Sequence, residues 1–565
     1  MSLFSSIQTA SNTLQAMQLG IQVAGNNIAN ANTPGYMRQS IVLQPASTQK
    51  KGNLLLGLGV DVSAVIQQSD KFLEERLRGA ISDLSNGETQ EGTYAQLETI
   101  LGELSDTDLS TQLTKFFGSI NDILNQPESI PVRNLAVLQG KTLANDVKSL
   151  HNRVLAVRND VNDQIINSAT DINRLLGEIS KLNKQIISAE GGDVSKSDAV
   201  GLRDQRNNAL EDLAKIIDVK VVEQKSGDVT VFAGGEYLVF EGTFRKVVAE
   251  LTPDRGINSA QIKLEATDAP LNVSSGKLSG LIQSRDQVLG GFLDQLNEFS
   301  RTLSYEFNKI YSSGQGLVGY TDLTSEFTVD GAQLPLDQAG LKYTPVNGSF
   351  QVQVLNKQTG LTNTFDIPIR LNGLDDDTTL DSLQQQLDAI DGLKAEITPT
   401  RGLRLSTESA NLQFAFANDT SGTLASLGLA TFFTGSSAGD MGVSKIVSGD
   451  PAKFAVSSSG IGKDTDNAVA LASFLNRPLE SESGASISDM YDRMAGDVTQ
   501  QASVAKAVAE GFRVFQRTLD GQRLAISGVN IDEEAVHLMT YQRSYQAAAR
   551  YISVVNQLLE TLVNL

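Results

Sequence analysis

Apolar residues recur at alternating steps of four and three along the amino-terminal segment, at Leu3, Ile7, Ala10, Leu14, Met17, Ile21, Ala24, Ile28 and Ala31. This is the heptad spacing of a coiled-coil seam. The carboxyl-terminal segment repeats it at Leu538, Tyr541, Tyr545, Ala548, Ile552, Val555, Leu559 and Leu562. At 1.5 Å per residue, segments of about 30 residues make rods of roughly 45 Å. The matched seams predict one intramolecular two-helix rod.

Between the rods the period changes several times. Leu143, Val147, Leu150, Val154, Val157 and Val161 keep heptad spacing, and after an eleven-residue step Ile172, Leu175, Ile179, Leu182 and Ile186 resume it, so one long helix with a stutter is expected. Further helices are predicted near 93–125, from Leu289 to Ile310 and near 487–526, together a bundle. Two β-rich stretches interrupt them. The first runs from about Val219 to Leu271 with a hairpin turn at Gly234 and Gly235. In the second, Phe350, Val352 and Val354 alternate with glutamines, and Phe365, Ile367, Ile369 and Leu371 with polar residues or Pro368, the signature of half-buried strands. A short helix from Leu380 to Ile390 and two more strands ending near Leu405 complete that module. The expected fold class is multidomain α+β. Its parts are a terminal rod (1–65 with 528–565), a helical bundle (66–218, 276–318 and 443–527), a β-rich segment (219–275) and an inserted outer β-rich domain (319–442).

Polar positions change the picture of the rods. Residues 1–37 hold no charged side chain but sixteen Ser, Thr, Asn or Gln, and between Leu538 and Leu565 only Arg543, Arg550 and Glu560 are charged. A solvated helix face ordinarily carries Lys and Glu, whereas amides and hydroxyls can be buried without desolvating a charge. The rods are therefore expected to be surrounded by other subunits. Across 565 residues, 46 Lys and Arg stand against 66 Asp and Glu, a net charge of −20, the wrong sign for a nucleic-acid partner. Cys and Trp are absent and His occurs twice, which removes disulfides, thiolate chemistry and multi-histidine metal centres. No stretch approaches the ~20 apolar residues of a membrane span.

Four segments imitate catalytic or metal motifs. Gly314 to Gly319 fits G-x-G-x-x-G but follows a helix, where that motif must follow a strand. Gly435 to Gly439 fits G-x-S-x-G around Ser437, yet both histidines, His151 and His537, fall inside helices. Gly140, Lys141 and Thr142 resemble the end of a phosphate loop, with Leu135 where its first glycine belongs. Asp375, Asp376 and Asp377 lack the glycine and glutamate of a calcium loop and read as acids at the start of the next helix. No catalytic, cofactor-binding or metal-binding residue is assigned.

The amino-terminal helix ends in Asn26, Asn27, Ile28, Ala29, Asn30, Ala31, Asn32, Thr33, Pro34, Gly35 and Tyr36, then Arg38 and Gln39. Pro34 pushes Thr33 out of helical geometry and Pro34-Gly35 favours a tight turn, so the stretch stops the helix. It also resembles the signature of bacterial flagellar axial proteins, the rod, hook and hook-associated families. Ser527, Gly528, Val529, Asn530, Ile531, Asp532, Glu533 and Glu534, followed by Tyr541, Gln542, Tyr545, Ala547 and Ala549, narrow the resemblance to the hook-associated family. Gly276, Lys277, Leu278, Gly280, Leu281, Arg285 and Asp286 extend it inward. Asn530 with Glu533 three residues later is also a capping box. Met37, Ile531 and His537 depart from the family pattern.

The resemblance implies a structural, non-enzymatic subunit of the hook–filament junction, needed for filament assembly and motility. Its assembly residues would be the two seams and motifs: Leu3, Ile7, Leu14, Met17, Ile21, Asn26, Asn27, Ile28, Asn30, Thr33, Pro34, Gly35 and Tyr36 at one end, and Asn530, Asp532, Glu533, Glu534, Leu538, Tyr541, Tyr545, Ile552, Val555, Leu559 and Leu562 at the other. The implied partners are other copies in a ring, the hook protein, the next junction protein (hook-associated protein 3), an export chaperone and the flagellar type III apparatus. Export without a cleaved signal peptide is expected, with no cofactor. The alternatives are the hook or another axial protein, or an exported surface protein whose central domain is an adhesin or hydrolase.

Overall fold

The computed structural model describes residues 3–51, 54–102, 108–191 and 196–563. In chain order, helix α1 (Leu3–Asn30) is followed by strands β1 (Gln39–Pro45), β2 (Thr48–Lys51), β3 (Leu54–Gly57) and β4 (Val60–Gln67). Helices α2 (Lys71–Leu101), α3 (Leu109–Asn125), α4 (Ile130–Glu190) and α5 (Val200–Ile216) come next, then β5 (Lys220–Glu223), β6 (Val229–Ala233), β7 (Glu236–Phe240), β8 (Thr243–Phe244), β9 (Val247–Asp254) and β10 (Ile257–Leu264). Helices α6 (Gly276–Gln283) and α7 (Gly290–Ser312) precede β11 (Asp322–Thr324), β12 (Gly348–Asn356), β13 (Thr362–Ile369), α8 (Leu380–Asp388), β14 (Leu393–Ile397), β15 (Leu403–Thr407) and β16 (Leu412–Ala417). Three short helices, α9 (Thr423–Leu427), α10 (Lys445–Gly449) and α11 (Asp466–Ala472), lead to α12 (Ile487–Ser527) and α13 (Ile531–Val563). The fold is multidomain α+β. Its contacts form two compact units, one of residues 1–93, 159–286 and 503–565, the other of 94–158 and 287–502.

In the first unit α1 packs along α13 and, on another side, against the hairpin of β1 with β4. A Cβ at Gly20 would lie 3.0 Å from the Tyr541 ring and 3.1 Å from Ile41 Cδ1, so the missing side chain lets the three elements approach closely there. Asn12 Nδ2 donates to the Leu58 carbonyl oxygen at 2.9 Å, tying the helix to the far end of the hairpin. This two-sided cover shifts the burial. Ser6, Ala10, Met17, Gly20, Ala24 and Asn27 are the buried positions along α1, with Ala16 and Val23, while Leu3, Ile7, Leu14, Ile21 and Ile28 are half-buried. On α13, Ala548 and Val555 are buried, Leu538, Tyr541, Ile552 and Leu559 half-buried and Tyr545 exposed. The Leu562 side chain lies outside the described residues.

The other β strands of this unit form the hairpins β2–β3 and β9–β10 and a four-stranded antiparallel sheet in the order β5–β6–β7–β8. Gly234 and Gly235, at φ +58° and +84°, make the predicted turn between β6 and β7. Three asparagines of α4 fasten the long helix to strand backbone. Asn162, Asn173 and Asn183 each donate Nδ2 to a strand carbonyl, of Asn258, Val247 and Val229, at 2.8–2.9 Å. Each Oδ1 in turn accepts a backbone N–H, from Ala260, Val247 and Val229. The side-chain amide thus stands in for one more strand residue.

The second unit is built on aromatic packing. Phe116, Phe307, Tyr311, Phe432, Phe433 and Phe454 are all buried, with Phe307–Phe433 centroids 5.1 Å apart and Phe116–Phe432 5.5 Å apart. Asn308 Oδ1 accepts the backbone N–H groups of Phe432 and Phe433, each at 3.0 Å. Two three-stranded sheets, β13–β12–β16 and β11–β15–β14, enclose a separate core with Leu380, Leu383 and Leu387 of α8. Strand β16 was not among the strands expected from alternation.

Candidate assembly site where the chain ends meet

The motif that stops α1 and the turn that starts α13 are nearly 500 residues apart in sequence and form one hydrogen-bonded clamp. Asn27, fully buried, is its centre. Its Nδ2 donates to the Gln39 carbonyl at 2.9 Å and to Glu534 Oε2 at 3.1 Å. Its Oδ1 accepts the Tyr36 hydroxyl at 2.9 Å and the Gln39 N–H at 3.0 Å. Arg38, the first charge in the chain, donates from Nε to Glu534 Oε1 at 2.7 Å and from Nη1 to Glu533 Oε2 at 3.1 Å. Its backbone N–H donates to the Ser527 carbonyl at 2.9 Å. With Glu534 buried, the Arg38–Glu534 contact is a desolvated, charge-assisted bond, stronger than a surface ion pair.

Asn530 Oδ1 accepts the Asp532 N–H at 3.0 Å and so caps α13. The reciprocal half of the expected capping box is replaced, because the Glu533 carboxylate pairs with Arg38. Asn30 accepts from the Thr33 hydroxyl at 3.2 Å and donates to the Asn26 carbonyl at 3.0 Å, closing the helix end locally. Pro34-Gly35 sets the loop against α5, where a Cβ on Gly35 would fall 1.9 Å from Asn208 Oδ1. Asn26, Asn32, Thr33, Pro34, Ile531, Asp532 and Glu533 remain exposed. Residues 31–38 with 523–525, 527–530 and Glu533 line a cleft of about 550 Å³.

A second layer of polar groups lies beneath the loop. Asp204 of α5 accepts the Gln67 side-chain amide at 2.6 Å and the Met37 backbone N–H. Burial pushes its carboxyl up to about 7, against the lowering effect of those two bonds. The Tyr36 hydroxyl is pushed up to about 12 by burial and by the nearby Asp204 and Glu534 carboxylates. Sequence reading assigned no role to Arg38, Gln39, Gln67 or Asp204. Arg38 and Gln39 stand directly after the amino-terminal motif, and Arg38 ends a charge-free run of 37 residues.

The motifs that imitate chemistry have packing explanations. A Cβ on Gly140 would sit 2.4 Å from Phe432 Cζ, so the pseudo-phosphate loop is a helix surface kept bare for an aromatic ring. The glycines at 314, 316 and 319 lie in the irregular segment after α7. Ser437 Oγ donates to Asp440 Oδ1 at 2.8 Å, and the His151 ring packs beside Gly439 instead of reaching that hydroxyl. His537 stacks on Tyr541. The three aspartates do not cap α8, a correction to the sequence reading: Thr379 caps it, and Asp377 accepts the Asn372 and Gly373 N–H groups, holding the preceding loop. Among the described residues no cluster of three or more His, Asp or Glu could hold a metal ion, and no helix is long and apolar enough to cross a membrane.

Comparison with known proteins sets this architecture in context. Residues 94–324 match the profile of the flagellar hook-associated protein FlgK helical domain. Residues 7–36 match the flagella basal body rod protein profile and 521–565 the C-terminal profile of the flagellar basal body rod FlgEFG protein. Flagellar hook-associated protein 1 of Bacillus subtilis strain 168 is 24% identical over 574 residues, covering 100% of this chain and 98% of the relative. Over its whole length the chain is similar to flagellar hook-associated protein 1. The members from Escherichia coli K12 and Salmonella typhimurium LT2 are each 25% identical, with 99% of both chains covered. The solved structure of the flagellar hook junction protein FlgK from Burkholderia pseudomallei shares the fold, with a TM-score of 0.50 at 16% identity over 80% of this chain and 100% of that one. The clamp joins the two segments of this chain, 7–36 and 521–565, that match the rod-protein profiles.

Proposed function

We propose that this chain is the structural subunit of the hook–filament junction and performs no catalysis. The observation that carries the reading is the clamp: both rod-protein segments converge on Asn27 and Glu534, so the chain presents its two ends as one unit, as a subunit inserted into an axial tube requires. Relatives alike over their whole length bear the name hook-associated protein 1. On this reading the exposed motif residues Asn26, Asn32, Thr33 and Pro34 and the terminal seams meet neighbouring copies, the hook protein below and the next junction protein above. The charge-poor rods form the inner wall of the tube. The chain leaves the cell unfolded by flagellar type III export, after a chaperone has held its carboxyl-terminal helix.

Immunogold labelling of isolated flagella tests this directly. A single band of label at the boundary between hook and filament is expected. Label spread along the hook would favour the hook-protein alternative, and label on the cell surface away from flagella would favour an exported adhesin.

A further inference from the structure

One face of helix α5 touches both walls of the assembly cleft. Asp204, Asn207, Asn208 and Glu211 stand at i, i+3, i+4 and i+7, the spacing of a single stripe along a helix. Toward the motif loop, Asp204 accepts the Met37 backbone N–H and the Gln67 side-chain amide. Asn207 Nδ2 lies 3.7 Å from Met37 Sδ, and the Asn208 side chain occupies the space that a Cβ on Gly35 would need. Toward the other wall, Glu211 Oε1 accepts from Arg523 Nη1 at 2.6 Å. Arg523 lines the cleft and is held on its second side by Asp520 of α12, also at 2.6 Å. Behind the stripe the helix is anchored: Ala209, Leu210, Leu213 and Ala214 are buried, and Arg206 Nη1 donates to the Gly227 carbonyl at 2.6 Å. Asp204, 9% exposed, has an amide and a backbone N–H for partners and no cation. A carboxylate so placed weakens the fold at neutral pH, so its place in the stripe is explained by where it holds Met37, not by stability it adds.

We infer that the α5 stripe fixes the spacing of the two walls, with Asp204 and Glu211 as positioning residues, and so sets the shape that the cleft offers when the chain docks on the hook. The inference rests on the junction reading. Residues 31–36 of the loop belong to segment 7–36, which matches a rod-protein profile, whereas α5 lies inside 94–324, which matches the profile of the hook-associated helical domain. A motif of a general axial kind is thereby held by a helix of a more particular kind. Two chains carrying the same loop on different supports would present it at different distances from the α12–α13 turn, and a partner that fits one spacing rejects the other.

The chain has no cysteine, so spin labels on Asn32→Cys and Leu524→Cys, one exposed residue on each wall, report the width of the cleft in the purified full-length protein. A single narrow distance distribution is expected. Glu211→Ala and Asp204→Ala should each broaden it, while Glu211→Gln and Asp204→Asn, which keep an acceptor oxygen, should restore it. Asp212→Ala, on the exposed face of the same helix, should leave it unchanged. Should Asp204→Ala unfold, Glu211→Ala carries the test, because Arg523 keeps its bond to Asp520. In unlabelled chains added to isolated filamentless hooks, the alanine variants should lower the yield of flagellin filaments about tenfold, the equivalent of about 1.4 kcal/mol, and the amide variants should match the wild type. An unchanged narrow distribution in folded alanine variants would reduce the stripe to a stabilising role and overturn the inference, as would a wild-type distribution as broad as theirs. If the wild-type chain starts no filaments on those hooks, the junction reading falls, and the distances still decide the inference.

Discussion

Asn27 uses all of its hydrogen-bonding capacity inside the clamp: two donors to Gln39 and Glu534, two lone pairs for Tyr36 and Gln39. Asn27→Ala would strand a buried carboxylate oxygen, a hydroxyl and two backbone groups, and should cost about 2–4 kcal/mol of local stability. Hydrogen exchange at the Gln39 amide is the measurement, with faster exchange expected in the variant and unchanged protection contradicting the clamp. Asp204 makes a separate, pH-dependent prediction. An unfolded aspartate ionises near 3.9, whereas burial holds the folded carboxyl near 7. Its stabilising contribution is complete below about pH 4 and is lost as pH rises to 7. Wild type should therefore lose roughly 2–4 kcal/mol relative to Asp204→Asn across that window, since each pH unit between the two ionisation points is worth about 1.36 kcal/mol. Parallel stability profiles of the two proteins would contradict it.

Where two elements meet, the size of a residue decides more than its polarity. Gly20→Leu should drive α13 and the β1–β4 hairpin away from α1 and loosen the rod by about 1–3 kcal/mol through overpacking. Gly25 lies in the same helix, and a Cβ there would meet nothing within 4 Å. Gly25→Ala should instead stabilise the helix by about 0.5–1 kcal/mol. Opposite shifts in the thermal midpoint check the pair. The heptads show why the rod helices were legible: a run at positions such as Met17, Ala24, Ala548 and Val555 needs only a partner helix to explain it. The hairpin on α1 was not legible, because β1 puts three apolar residues in succession, Ile41, Val42 and Leu43, where its pairing with β4 slips register. Its presence moved burial from Leu14 and Ile21 to Gly20 and Asn27. The Asn162, Asn173 and Asn183 contacts also escaped, since an asparagine bridging helix to strand has the same spacing as one facing solvent. Within the site, the residues contributed by the two motifs were visible, while Gln67 and Asp204 come from elements that carry no motif at all.

At the scale of the whole molecule, the sheets of residues 320–430 have their own core, but Phe432 and Phe433 belong to the aromatic packing around Phe307. A Gly-Ser bridge in place of residues 321–430 keeps Tyr320, Phe432 and Phe433 in the chain. That deletion should leave a folded, exported chain that supports swimming, whereas deletion of 320–439 removes both phenylalanines and should abolish cooperative thermal unfolding of the remaining helices. Swimming by both deletions, or by neither, would contradict the division. The central claim, that the clamped ends make this chain the foundation of the filament, is tested most directly by electron microscopy of a strain lacking it. The account predicts hooks of normal length without filaments, with flagellin free in the medium and filaments restored by the wild-type chain. Filaments growing normally from hooks in its absence would contradict the account.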